Sequence, residues 1–208
     1  MTGKKALLLA AAALLGSTFS LWSADTAEAQ SATGLCEREM TRASAKYGVP
    51  LGMLYSVGLT ETGRRGSLQP YAMNVERRAV FSSSQAEAMQ RFDEASRAGA
   101  KLIDLGCMQI NHLYHRANFP SLESMLNPRT NVEYAARFLR ELKTRHYTWT
   151  MAVARYHAGP NNDPAQKRYV CRVIANMVAT GFGQWTPAAQ AFCADAPRPS
   201  SGQTASAD

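Results

Sequence analysis

Residues 55–65 read YSVGLTETGRR, and Glu61 within them occupies a position that asks for a reason. If the segment is helical, Leu54, Val57 and Gly58 share its face, because side chains three, four and seven residues apart line one side of a helix. A carboxylate there meets two effects of one sign. The negative end of the helix macrodipole favours its neutral form, and partial burial does the same. A carboxylic acid that stays protonated near neutral pH can donate a proton to a leaving oxygen, the general-acid step of glycoside cleavage. An ordinary surface glutamate at a frayed helix end is the plain alternative, and position alone does not separate the two. The best options for a second carboxylate are Asp104 and Glu76. Asp104 opens a D-L-G turn, where side-chain-to-backbone bonding is the common use of aspartate. His112 and His115 have H-x-x-H spacing with no acidic residue between them, and they read as an exposed helix face. No metal or cofactor is expected.

These residues must be held by helices. Leu35 to Tyr47 is amphipathic and closed by Gly48. Pro50 opens a second helix, a favoured place for proline, which runs to about Glu61 before Gly63. Residues 66 to 81 read as irregular or weakly strand-like. Ser84-Gln85-Ala86-Glu87 is a capping box for a helix with Ala86, Met89, Phe92 and Ala95 on one side, ended by Gly99. KLIDLG (101–106) predicts a short strand and turn, with a helix from about Met108. Ser121 to Leu126 adds one turn, and Val132, Ala135, Leu139 and Leu142 mark a long amphipathic helix. Thr148 to Ala158 and Ala165 to Thr180 are two more, the latter carrying Tyr169, Val173 and Met177, and Thr186-Pro187 starts a short last one. The expectation is an α+β domain, predominantly α-helical, with a small β element after the helix that carries Glu61.

Lys4 and Lys5, the uncharged run Ala6 to Leu15, and Ala27-Glu28-Ala29 together have the form of a cleavable secretory signal peptide over residues 1–29. The run is too short for a permanent span. Cutting after Ala29 leaves 208 − 29 = 179 residues, enough for one domain over 30–193 that buries roughly 70% of its unfolded surface. Residues 194–208 are polar and low in complexity, and read as a disordered tail. The exported part keeps 21 of 23 basic and 14 of 16 acidic residues, so its net charge stays at +7. No basic block with interleaved aromatics suggests nucleic acid, whereas peptidoglycan, with free stem carboxylates, suits a basic exported protein. Cys36, Cys107, Cys171 and Cys193 are an even number in an oxidising compartment. Three pairings are open. Cys36–Cys107 with Cys171–Cys193 is preferred, the second because those two flank a helical hairpin.

ETG at 61–63, DLGCMQIN at 104–111 and ARYHAGPN at 154–161 stand in that order. With them the chain resembles the SLT-domain lytic transglycosylases of the lysozyme superfamily, over roughly residues 36 to 180. The resemblance implies a lysozyme-like fold and periplasmic action on peptidoglycan. It makes Glu61 the catalytic acid/base and places Met108 and Gln109 along the glycan cleft. It brings Tyr156 beside the glutamate, with His157 next to it. Asn74 is a further candidate for substrate contact. The D-x-G-x-M-Q-I-N form resembles the branch associated with secretion, conjugation and flagellar machines, which makes such an apparatus a possible partner. Thr62 stands for the family's serine and keeps a hydroxyl, Cys107 stands for leucine, and His157 stands for asparagine. An imidazole at 157 can hydrogen-bond a sugar, and it can also charge near neutral pH.

Overall fold

The computed structural model describes residues 34–64 and 66–196. The expected signal peptide, and positions 197–208 of the expected tail, lie outside them. Helix α1 is Leu35–Tyr47, ended by Gly48 at φ 62°, a left-handed conformation that glycine adopts without a Cβ penalty. Helix α2, Leu51–Thr62, begins just after Pro50 and carries Glu61 in its last turn. Met53, Leu54, Ser56, Val57, Gly58, Thr60 and Thr62 are all buried, so α2 is apolar around most of its circumference and runs through the core. A Cβ on Gly58 would lie 2.5 Å from Met40 Cε. That close approach lets α1 press against α2.

The segment after α2 is more ordered than its sequence predicts. Strands β1 (Ala72–Val75) and β2 (Arg78–Phe81) form an antiparallel hairpin. Its turn residues Glu76 and Arg77 both have positive φ, the twist-compatible geometry usually given to Asn-Gly. Glu76 offsets the strain with its side chain, which accepts from Lys101 N at 2.8 Å and Leu102 N at 3.0 Å. Helix α3 (Gln85–Arg97) starts on Ser84, whose hydroxyl accepts from Glu87 N at 3.2 Å. The return arm of the capping box goes to Ser83, whose N and Oγ both donate to Glu87 Oε2 at 2.7 Å.

Strands β3 (Ile103–Leu105) and β4 (Ile110–Asn111) complete a four-stranded antiparallel sheet of order β2-β1-β3-β4. The helix expected from Met108 therefore begins later, as α4 (His112–His115), because residues 110–111 pair with β3 instead. His112 and His115 are half-buried rather than exposed. The His112 ring meets Phe92 edge-on at 4.7 Å, and His115 Nδ1 is 2.8 Å from Tyr134 Oη. It is Leu113 and Tyr114 between them that face solvent. Helix α5 is Leu122–Leu126, and α6 is Pro128–His146. Helices α7 (Trp149–Ala158) and α8 (Asp163–Ala179) follow, and α9 is Pro187–Phe192. Asn127, Thr148, Asn162 and Thr186 cap the N-termini of α6 to α9 with their side chains. Helix α1 packs on α6, α2 on α8, and α7 on both α6 and α8.

Two disulfides are present, Cys36–Cys107 and Cys171–Cys193, in the preferred pairing. The first joins α1 to the β3–β4 turn. The second ties α8 to the end of α9, and Ala196 is buried against it. The ordered fold thus continues past position 193, with Asp195 3.5 Å from Lys167. No helix among the described residues is long and apolar enough to cross a membrane.

Candidate active site

Helix α2 delivers Glu61 to the meeting point of α2, α7, α8 and the sheet. Tyr169 on α8, itself buried, donates its hydroxyl to Glu61 Oε1 at 2.5 Å. Two turns further along α8, Asn176 Nδ2 donates to the neighbouring Thr60 Oγ1 at 2.9 Å. These two bonds fix the end of α2 against α8. The Glu61 side chain keeps 15% exposure, so it is enclosed yet touches solvent.

That enclosure sets its chemistry. Burial, with a smaller contribution from the Asp104 charge, pushes the Glu61 carboxyl up to about 7, against the opposing pull of the Tyr169 hydrogen bond and the Arg172 charge. Charging a carboxylate away from water is costly, so the group holds its proton into the neutral range. His157 Nδ1 lies 3.9 Å from Glu61 Oε1, and its ring stacks on Tyr169 with centroids 4.1 Å apart and planes 3° from parallel. Burial and the charges of Arg172 and Arg168 push His157 down to about 4. The expectation that this imidazole charges near neutral pH is therefore corrected. Between about pH 5 and 6 both partners are mainly neutral, and since His157 stays neutral at pH 7 as well, their approach is not an ion pair.

The GCMQ segment forms the second wall. Gly106 sits at φ 77°, and a Cβ there would come within 2.8 Å of both Cγ and Nδ2 of Asn131. Asn131, fully buried on α6, ties the turn to α5 through its side-chain amide. Its Nδ2 donates to Leu105 O at 2.8 Å and Met125 O at 2.9 Å, and its Oδ1 accepts from Met108 N at 2.9 Å. Cys107 is locked by its disulfide, and its carbonyl is 3.4 Å from Thr62 Oγ1 at the end of α2. The hydroxyl that Thr62 retains therefore links the glutamate's helix to this loop.

The sequence-nominated residues divide clearly. Met108 has no exposed surface and belongs to the core, so its side chain does not line the site as expected; its carbonyl accepts from Tyr156 Oη at 2.8 Å. Burial, with a smaller contribution from the Glu61 charge, pushes the Tyr156 hydroxyl well up, but the tyrosine bonded to Glu61 is Tyr169. Gln109, at φ 46°, donates its amide to Ala72 O at 3.1 Å and Gly106 O at 3.0 Å. That brace holds the strained turn. Asn74 pairs with Asp104 on β3, and Asp104 pairs with Asn111 on β4. Residues directly opposite in a sheet share a face, so these three make a polar row across it. Asn111 Nδ2 donates to Asp104 at 2.7 Å, and burial pushes the Asp104 carboxyl up. Glu76 is removed from the catalytic candidates, because its carboxylate closes the hairpin turn. Among the described residues, no cluster of His, Cys, Asp and Glu is placed to hold a metal ion.

Sequence reading missed Tyr169 and Asn131 as site residues. Tyr169 carries only the periodic signal of a core position, and a buried phenol that seeks a partner was the available hint. Asn131 falls on the face of α6 that carries Pro128, Val132 and Ala135, and a polar residue on that apolar face marks a buried group with bonds to make. No curated protein and no solved structure matches the chain. The family model for the transglycosylase SLT domain matches residues 39–176, more than half of it. Glu61, the GCMQ turn, α7 and all but the last three residues of α8 fall inside that span, and the chain belongs to the SLT-domain family, whose members are lytic transglycosylases acting on peptidoglycan.

Proposed function

We propose that this chain is an exported peptidoglycan lytic transglycosylase with Glu61 as its single acid/base. The observation that carries the reading is a Tyr169-bonded, enclosed carboxyl held near pH 7 at the end of α2. Protonated Glu61 donates to the oxygen of the β-1,4 bond between N-acetylmuramic acid and N-acetylglucosamine as that bond breaks. The carboxylate then takes the proton of the muramyl 6-hydroxyl, whose oxygen closes on the anomeric carbon to give the 1,6-anhydro ring. The proton is returned to Glu61 and no water is consumed. A group titrating near neutrality is suited to both halves of this cycle. Periplasmic action fits the signal-like N-terminus and two disulfides, and the D-x-G-x-M-Q-I-N form supports local wall opening for an envelope-spanning machine.

Hydrolysis is the second reading, and one observation favours it. Asp104 lies near enough for its charge to raise the Glu61 carboxyl, and retaining hydrolysis uses a carboxylate pair about 5–5.5 Å apart. Product analysis separates the two. Purified peptidoglycan digested by the protein and by Glu61→Gln is examined by mass spectrometry. Anhydro-muramyl ends from the wild type alone are expected. Reducing ends would transfer the reading to a hydrolase with Asp104 as partner, and cleavage retained in Glu61→Gln would remove Glu61 from the chemistry.

A further inference from the structure

Helix α8 presents more than Tyr169 to the site. Arg168 and Arg172 stand four residues apart, on one helix face, with Tyr169 beside both. The Arg172 guanidinium carbon is 5.9 Å from the centre of the Tyr169 ring. The same ring stacks on His157 and reaches Glu61 through its hydroxyl. Both arginine charges act on His157, and that of Arg172 acts on Glu61. Among the described residues, neither guanidinium has an acidic group within ion-pair distance. Arg172 Nε is in addition buried with no hydrogen-bond partner.

This arrangement is costly without a ligand. Like charges at this helical spacing repel, and a buried donor left unpaired loses its water for nothing. Glu61 is no full standing counter-ion, because its carboxyl is only half ionised at pH 7 and largely neutral a unit below. Guanidinium groups match carboxylates with paired, parallel hydrogen bonds. A saccharide hydroxyl would satisfy the geometry but would leave the charge uncompensated.

We propose that Arg168 and Arg172 form a carboxylate-binding site beside Glu61, which takes a carboxylate carried on the muramyl residue of the substrate strand. The inference rests on the peptidoglycan reading above and gives it a specificity. Two sources have the right chemistry: the lactyl carboxylate freed when a stem peptide has been removed, and the carboxylates of a stem peptide still in place. Either would seat the muramyl unit with its anomeric bond toward Glu61.

The test is binding to soluble glycan strands in the Glu61→Gln protein, with product release by the wild type measured alongside. The strands are peptide-bearing, amidase-stripped, or either kind with carboxylates converted to amides. Arg168→Gln with Arg172→Gln is expected to weaken binding of carboxylate-bearing strands about 10- to 100-fold, and amidated strands should bind the parent as weakly as they bind the variant. A loss seen on stripped strands assigns the lactyl carboxylate; a loss confined to peptide-bearing strands assigns the stem. Arg97→Gln with Arg140→Gln, at two exposed positions, removes equal charge elsewhere. Exposed Arg168→Gln alone serves if the double variant does not fold. Equal losses on free and amidated strands, or losses no larger than in the charge-matched control, would overturn the proposal. Strands that the wild type cuts, and that its Glu61→Gln form binds equally well free or amidated, overturn this site alone. Strands neither cut nor bound overturn the peptidoglycan reading with it.

Discussion

Glu61 is held in a state that opposes stability. Its carboxyl titrates at about 7 in the fold and at about 4.3 in an unfolded chain. Between those values the folded protein binds more protons than the unfolded one, so this group's contribution makes stability fall as pH rises through that window. Glu61→Gln removes the titration while keeping an oxygen to accept the Tyr169 hydroxyl. The variant should therefore be more stable than wild type by about 3–4 kcal/mol at pH 8, with the difference shrinking toward pH 4. Thermal or urea unfolding at the two pH values measures this without reference to activity. A gap independent of pH would mean that Glu61 titrates as an ordinary glutamate. The sequence indicated this residue well, since an acidic side chain among Leu54, Val57 and Gly58 conflicts with its surroundings. It could not show that Tyr169 rather than Tyr156 would be the bonded phenol, because the two lie on adjacent helices whose rotation is set by packing.

At the scale of elements, the helix boundaries were largely legible. Gly48, Gly63 and Ser84, and the cap residues before α6, α7 and α9, mark ends through local backbone chemistry, which needs no distant partner. The sheet was read less well. Residues 110–111 are too few to declare a strand, and the two-residue hairpin turn uses Glu-Arg instead of the usual Asn-Gly. The turn depends on the 101–102 amides, 25 and 26 positions away, and β4 on a tight chain reversal at 106–109 that pairs it with β3. Asn131 is the element-scale counterpart, one side chain serving three backbone groups from three segments. Asn131→Ala should cost about 3 kcal/mol or more, since buried groups are left unpaired, and should lower cleavage beyond the loss of folded protein. Chemical denaturation with activity per folded molecule checks it. A loss below about 1 kcal/mol would show that water replaces the amide.

For the whole molecule, the disulfides divide the work unequally. Cys36–Cys107 closes a separation of 71 residues and Cys171–Cys193 one of 22. Restricting the unfolded chain is then worth about 4 and about 3 kcal/mol in the chain-entropy account. The first also anchors the turn that carries Met108 and Gln109. Replacing Cys36 and Cys107 by Ala should lower both the melting temperature and cleavage per folded molecule; replacing Cys171 and Cys193 should lower chiefly the melting temperature. The comparison is a pair of melting curves with product release at a temperature where both variants are folded. Equal effects on cleavage would separate the first disulfide from the site.

By itself the sequence determined the helical periodicities, the caps, the even cysteine count and the misplaced carboxylate, because each arises from residues a few positions apart or from composition. Three ordered motifs sufficed to indicate the family. Tertiary structure alone decided that Met108 is core, that Glu76 clips a turn, that His157 stays neutral, and that Tyr169 bonds Glu61 with the Arg172 charge nearby. Those outcomes depend on which surfaces exclude water and which charges are brought within a few ångströms. Both are properties of packing between segments as far as 116 positions apart, and no local pattern encodes them.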